Sequence, residues 1–263
     1  MDLSKLKVAG FQMFTTADID RNLRKITDAI QTAAANGADV LALPEGAISG
    51  YGPMHYESIS QIDCKRIAEA NSEIAKLCRE HGLWLIGGTM VERGEELFNT
   101  ALIISPDGKV AGEYDKVHLT GEDKKWFAPG QSVSVFDFGG ALFGVQICFD
   151  VRFPEPYRYL KSLGATVVFG IFNACGGATW KIPVLEGAYR TRAAENSMYM
   201  VAVNAAGPLQ MAVSRICDPR GLSLAEANQD AEEIIYATLD LTKVGEGFFG
   251  ERRADAFEVV YKL

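Results

Sequence analysis

The sequence predicts an α/β protein with mixed sheets. Apolar runs of strand length alternate with segments of helical period, and the last third of the chain adds several short strand-like runs. No linker, low-complexity stretch or repeat interrupts the chain, so residues 1–263 read as one domain. VAGFQM (8–13) is the first strand, and a helical segment at 19–36 follows, with Asp18 or Asp20 as its cap and Gly37 behind it. DVLALP (39–44) is the next strand and ends at Glu45. A helix over 62–81 stops at Gly82, a residue that suits a helix C-terminus, and LWLIGG (83–88) is a strand again. ALIISPDGKVAGEYD (101–115) reads as strand with a Pro106-Asp107-Gly108 turn inside it, and Lys116 follows directly. The run LFGVQI (142–147) ends at Cys148, where an aromatic, proline-bearing turn breaks it. A short helix over 154–163, strand ATVVFGI (165–171), a helix over 180–195 and strand MYMVAVN (198–204) extend the pattern. AVSRI, GLSLAEA and EEIIYATLD read as an antiparallel run of shorter strands.

Composition narrows the function classes. A hydrophobic content of 48% is ordinary for a globular chain, so disorder is not expected. A net charge of -8 and a pI near 5.0 argue against nucleic acid or an anionic membrane as partner. Residues 1–7 lead straight into a strand with no signal-peptide pattern, and no apolar run approaches a membrane span. The five cysteines (Cys64, Cys78, Cys148, Cys175 and Cys217) are scattered and contain no Cys-x-x-Cys pair. Neither a disulfide framework nor a zinc site is suggested, and a cytoplasmic, reducing setting is expected. Cys64 and Cys78 fall on one helix face and read as core.

Three polar residues stand at the ends of strand-like runs: Glu45, Lys116 and Cys148. A strand that stops on a cysteine and breaks into a helix presents the thiol at the carboxyl edge of a sheet, where open α/β sheets place their chemistry. A thiolate attacks, a carboxylate can take the thiol proton, and a fixed cation can hold an oxyanion, so this trio suits acyl transfer. Each residue alone also fits a blander role: a buried cysteine, or a solvated loop charge.

The segments LPEGAISGY, FNTALIISPDGKVAGEYDKVHL, WFAPG (126–130), GVQICFDVRFPE, YRTRAAENSMYMVAVN (189–204), DPRG (218–221) and ERR (251–253) run in one order along nearly the whole chain. Together they resemble the nitrilase, or carbon–nitrogen hydrolase, superfamily, on its amidase-like branch. The resemblance implies a four-layer α-β-β-α sandwich with two mixed central sheets and a catalytic triad of Glu45, Lys116 and Cys148. It implies no cofactor and no metal. It implies hydrolysis of a small carboxamide substrate through a thioester, and a homodimer or higher homo-oligomer. The backbone N–H of Phe149 is expected to help bind the oxyanion, and Asn173, after strand ATVVFGI, to line the substrate pocket. Many family members carry a second glutamate seven or eight residues after the lysine. Here those positions are Asp123 and Lys124, with Glu122 one residue early. On the premise of an extended backbone, where neighbours alternate, the longer Glu122 is expected to face the site and Asp123 to face away. Thr179 stands where many amidase-like members have histidine.

Other letter patterns carry less. GEGFFG (245–250) matches a dinucleotide glycine pattern but has no strand–helix–strand unit around it. His55, His81 and His118 are too dispersed for a metal site. His118, two residues after Lys116, is expected to pack or hydrogen-bond beside the site. A nitrilase proper or an N-carbamoyl amide hydrolase would use the same triad, but nitrilases are usually longer than this chain. A silent scaffold would have no use for all three triad residues. The substrate lies in loops such as 50–58 and 173–180, whose shape sequence does not give.

Overall fold

The computed structural model describes residues 4–176, 178–245, 247–253 and 255–256. In chain order the elements are β1 (Lys5–Gln12), α1 (Ile19–Ala35), β2 (Val40–Ala42), α2 (Gly52–His55), α3 (Cys64–His81), β3 (Trp84–Arg93), β4 (Glu96–Ile104) and β5 (Val110–Asp115). They continue with β6 (Val135–Asp137), β7 (Leu142–Ile147), α4 (Pro154–Ser162), β8 (Val167–Phe172), α5 (Lys181–Asn196), β9 (Tyr199–Asn204), β10 (Arg215–Cys217), β11 (Ser223–Glu226), β12 (Glu233–Asp240) and the short α6 (Gly247–Gly250).

The strands form two six-stranded sheets, ordered β12-β1-β2-β3-β4-β5 and β11-β10-β9-β8-β7-β6. Each has a parallel centre, β1-β2-β3 in one and β7-β8-β9 in the other, extended on both sides by antiparallel strands. Alternation along each strand sends one set of side chains to the other sheet and one set to a helix. Val8, Val40, Ile86 and Ile103 therefore meet Val145, Ile147, Phe169, Ile171 and Val201 between the sheets. Ile26, Ile30, Ile67 and Ile74 of α1 and α3 cover the outside of the first sheet. Tyr157, Leu160, Leu185 and Tyr189 of α4 and α5 cover the second. The result is the expected four-layer α-β-β-α sandwich.

The helix ends follow from side-chain chemistry. Asp18 caps α1 by accepting from the Arg21 N–H at 2.9 Å, satisfying one of the orphan donors of the first turn. Gly82 ends α3 at φ 64°, a backbone conformation glycine takes without a Cβ clash. The run 101–115 is strand with a turn inside it, as expected: the end of β4, the turn and β5, paired as a hairpin whose first strand begins at Glu96. One sequence reading changes. The last strand-like run does not stay with β10 and β11: β12 crosses to the other sheet and pairs with β1 from Lys5↔Asp240 to Gln12↔Glu233. It thereby covers the open edge of β1 and buries Ile235 and Leu239 between the sheets.

Candidate active site

Glu45, Lys116 and Cys148 all lie just past strand ends. Glu45 comes after β2 through Leu43-Pro44, Lys116 is the residue after β5, and Cys148 is the residue after β7. The chain around Glu45 is pressed against β3. The N–H groups of Leu43 and Ile48 donate to Ile86 O and Gly88 O at 2.8 and 3.0 Å. A Cβ at Gly88 would stand 2.4 Å from Pro44 O and 2.6 Å from Glu45 Cα, so only glycine fits beneath the glutamate. Cys148 opens a 3-10 turn (Cys148–Arg152) with φ 45°, a left-handed conformation that costs a non-glycine residue about 1–2 kcal/mol. Strain at this one residue turns the thiol from the strand into a cavity of about 920 Å³.

The charged groups converge below that cavity. Lys116 Nζ stands 2.8 Å from Glu45 Oε1 and 2.8 Å from Asp123 Oδ2, and all three side chains are buried. Glu45 is held from both sheets. Asn99 Nδ2 in β4 donates to Oε1 at 2.7 Å, and the Asn173 N–H, after β8, donates to Oε2 at 2.9 Å. The backbone carbonyl of Asn99 also accepts from the Lys116 N–H at 2.9 Å. Asp123 Oδ2 further accepts from the Thr120 N–H at 2.9 Å, and Asp123 Oδ1 from the Tyr51 hydroxyl. Tyr51 also lays its ring 5.7 Å from Lys116 Nζ.

The protonation states follow. Burial pushes the Cys148 thiol well above its ordinary range, the Glu45 and Asp123 carboxylates push the same way, and Lys116 pulls against them. The resting sulfur is a neutral thiol that needs a base. Burial alone would lower Lys116, but the charge of Glu45 and the charge and hydrogen bond of Asp123 outweigh it and raise it, so it stays an ammonium. For Asp123, burial favours the acid, yet Lys116 and the hydrogen bonds from Lys116, Tyr51 and Thr120 prevail and lower it. It is a carboxylate.

The expectation for Glu122 is wrong. Its carboxylate is exposed and paired with Lys125 at 2.8 Å, at the cavity mouth, while Asp123 is the acid on Lys116. The premise of an extended backbone fails there. Glu122 has φ -77° and ψ -42°, and Asp123–Lys125 form a 3-10 turn closed by Asp123 N donating to Thr120 Oγ1 at 3.0 Å. In that turn the shorter acid points inward and needs no extra methylene. Phe149 lines the cavity. Asn173 lines it too, but its amide is committed: Nδ2 donates to Thr15 Oγ1 at 3.0 Å, and Oδ1 accepts from Gln210 Nε2 at 2.8 Å. It braces Glu45 rather than offering a free group to a substrate. Cys175 lines the cavity as well, and Thr179 falls just before Trp180 on its rim. His118 bonds Asp150 through Nδ1 at 2.8 Å and stacks on Phe153 at 3.9 Å. Sequence reading passed over Tyr51 and Asn99. The available signal for Asn99 was a lone amide inside a largely apolar strand. Among the described residues no group of three or more His, Cys, Asp and Glu is placed to hold a metal.

A family model described as carbon-nitrogen hydrolase matches residues 7–247. An omega-amidase of Homo sapiens is 28% identical over 283 residues, covering 99% of this chain and 99% of its own. A nitrilase of Pyrococcus abyssi is 32% identical over 244 residues, covering 90% of each. The crystal structure of an amidase from Nesterenkonia sp. superposes with a TM-score of 0.83 at 27% identity, covering 95% of this chain and 94% of that one.

Proposed function

The chain belongs to the carbon–nitrogen hydrolase family, and from that premise we propose that it hydrolyses a small non-peptide carboxamide through a thioester on Cys148. One observation carries the reading. A buried ammonium, Lys116, is clamped by Glu45 and Asp123 beside a strained cysteine on the floor of an open cavity. An ammonium has three N–H donors. Two are taken by carboxylates, which leaves the third for the oxygen of a substrate carbonyl.

The steps follow from these placements. Glu45 takes the Cys148 proton, and the thiolate attacks the carbonyl carbon. The oxyanion is held by the free Lys116 N–H and the backbone N–H of Phe149. The C–N bond breaks as Glu45 returns the proton to the leaving nitrogen, releasing ammonia or an amine. Water then attacks the thioester, giving its proton to Glu45, and the acid leaves with the thiol restored. A nucleophilic cysteine is seen in the Nesterenkonia amidase, where the active-site cysteine of a glutamate-to-glutamine variant carries the acetamide moiety of fluoroacetamide. All five cysteines are free thiols. No helix among the described residues is long and apolar enough to cross a membrane.

The cavity mouth favours a second, narrower reading. Arg152, Lys181 and Lys124 line it, and none of them is ion-paired among the described residues, in a chain of net charge -8. An amide carrying a carboxylate at its far end would meet those cations, and the omega-amidase relatives point the same way. The test is ammonia release from a panel of butyramide, succinamate, N-carbamoyl amino acids and short nitriles. Turnover of the two amides supports amidase chemistry, with succinamate ahead if the cations select. Turnover of nitriles or carbamoyl compounds alone would overturn it.

A further inference from the structure

Asp150 lies two residues past Cys148 and is fully buried, yet the proposed chemistry does not use it. Among the described residues, all of its hydrogen bonds go to the two segments that carry the nucleophile and the cation. Oδ2 accepts from the Ile147 N–H at 3.0 Å, which closes the strained turn on which Cys148 stands. The same oxygen accepts from the Tyr114 hydroxyl at 2.8 Å. Oδ1 accepts from the His118 N–H at 2.9 Å and meets His118 Nδ1 at 2.8 Å. Tyr114 and His118 are the residues two before and two after Lys116. A single carboxylate in the second sheet's turn therefore grips the first sheet's strand end on both sides of the ammonium.

We propose that Asp150 is a positioning residue that sets Cys148 against Lys116, with Tyr114 and His118 as its handles. The reasoning is geometric. β5 and β7 belong to different sheets, so no shared ladder fixes the distance between the residues that follow them. Apolar packing between sheets tolerates small slides, whereas hydrogen bonds to a buried carboxylate are short and directional. A buried carboxylate must also keep its partners, so each of these bonds resists being broken. A misplacement of about 1 Å at a reacting pair can cost on the order of a hundredfold in rate.

The proposal rests on the amidase reading for its turnover readout, so the experiment includes one that does not. Asp150→Asn and Tyr114→Phe are compared with wild type for kcat and KM on the best amide of the panel, for melting temperature, and for the rate of Cys148 alkylation by iodoacetamide. Tyr114→Phe keeps the ring and removes one handle, so it remains informative if Asp150→Asn folds poorly. The expected result for Tyr114→Phe is a fall of about tenfold in kcat with KM held within about twofold, and alkylation slowed in parallel. Asp150→Asn should lose more of both. Variants that melt lower but keep kcat and alkylation within about twofold of wild type would make Asp150 a stability residue and overturn the proposal. If wild type turns over no amide while alkylation still slows in both variants, the clamp stands and the functional reading falls.

Discussion

Asp123 and Glu122 are neighbours with opposite fates. Asp123 is buried on Lys116, and Glu122 is exposed on Lys125. Removing the Asp123 charge breaks a buried pair, which typically costs about 3–5 kcal/mol of stability. Asp123→Asn should therefore lower the melting temperature and, by freeing Lys116 to shift, cut kcat/KM by about a hundredfold. Glu122→Gln should stay within about twofold of wild type, since exposed pairs contribute little. Equal losses in the two variants would show that the inward acid is not the one that matters. The lowered pKa of Asp123 adds a sign. Its stabilisation is present above the unfolded carboxylate pKa of about 3.9 and is lost as pH falls through its lower folded value. The Asp123→Asn variant should lack that part of the acid slope. At Cys148, alanine and serine variants should fold normally and retain under about a tenth of wild-type turnover, because the covalent step needs the thiolate. Either variant working above that level would point to another nucleophile. Glu45, Lys116 and Cys148 were legible as candidates because each stands where a strand stops and because the segments around all three resemble one family's in order. Which of two adjacent acids turned inward was not, because the answer lay in the φ and ψ of Glu122 and in a Thr120 hydroxyl that closes the turn.

At the scale of elements, the strand ends depend on residues that carry no chemistry. β3 passes under Glu45 with Gly88, where a methyl group would overlap Pro44 O and Glu45 Cα. Gly88→Ala should displace the glutamate and lose activity by a factor larger than its effect on melting, read by comparing kcat with the thermal midpoint. A variant with wild-type kcat would mean the strand can slide at no cost to the site. Behind the Cys148 turn, α4 and α5 bury the hydroxyls of Tyr157 and Tyr189, neither with a hydrogen-bond partner among the described residues. Removing an unpaired buried polar group while keeping its shape is neutral or stabilising. Tyr189→Phe should leave the melting temperature unchanged or raise it, and a clear drop would reveal a partner such as a bound water. Helices with a capping aspartate and a terminal glycine were read from sequence within a residue or two, because their signals are local. The pairing of β12 with β1 was not, because alternation marks a strand but names no partner, and that edge was filled from more than two hundred residues away.

The whole molecule buries acids that ordinarily titrate in alkali. Burial pushes Cys78 up to about 12 and Cys217 up to about 11, and it raises Tyr114, Tyr157 and Tyr189 well above their usual range. These residues sit in different layers, with Cys78 under the α1–α3 face and Cys217 and Tyr189 under the α4–α5 face. Their titration therefore reports on the sandwich as a unit rather than on one site. In the unfolded chain a thiol loses its proton near 8.5 and a tyrosine near 10. Above those values the unfolded state binds fewer protons than the folded one. Stability then falls with rising pH, by about 1.4 kcal/mol per pH unit for each proton of difference. Full stability should hold up to about pH 8 and decline from there, with the thiols contributing first and the tyrosines later. Replacing Cys78 and Cys217 together by alanine removes two of the titrating groups. It leaves small cavities, which lower stability by an amount that does not depend on pH. Denaturant unfolding followed between about pH 8 and 11 should give the double variant a lower but flatter curve than wild type, the gap between them closing as pH rises. Curves that stay parallel over that range would mean the two thiols titrate alike in both states, and that the two outer layers admit water before the sandwich comes apart.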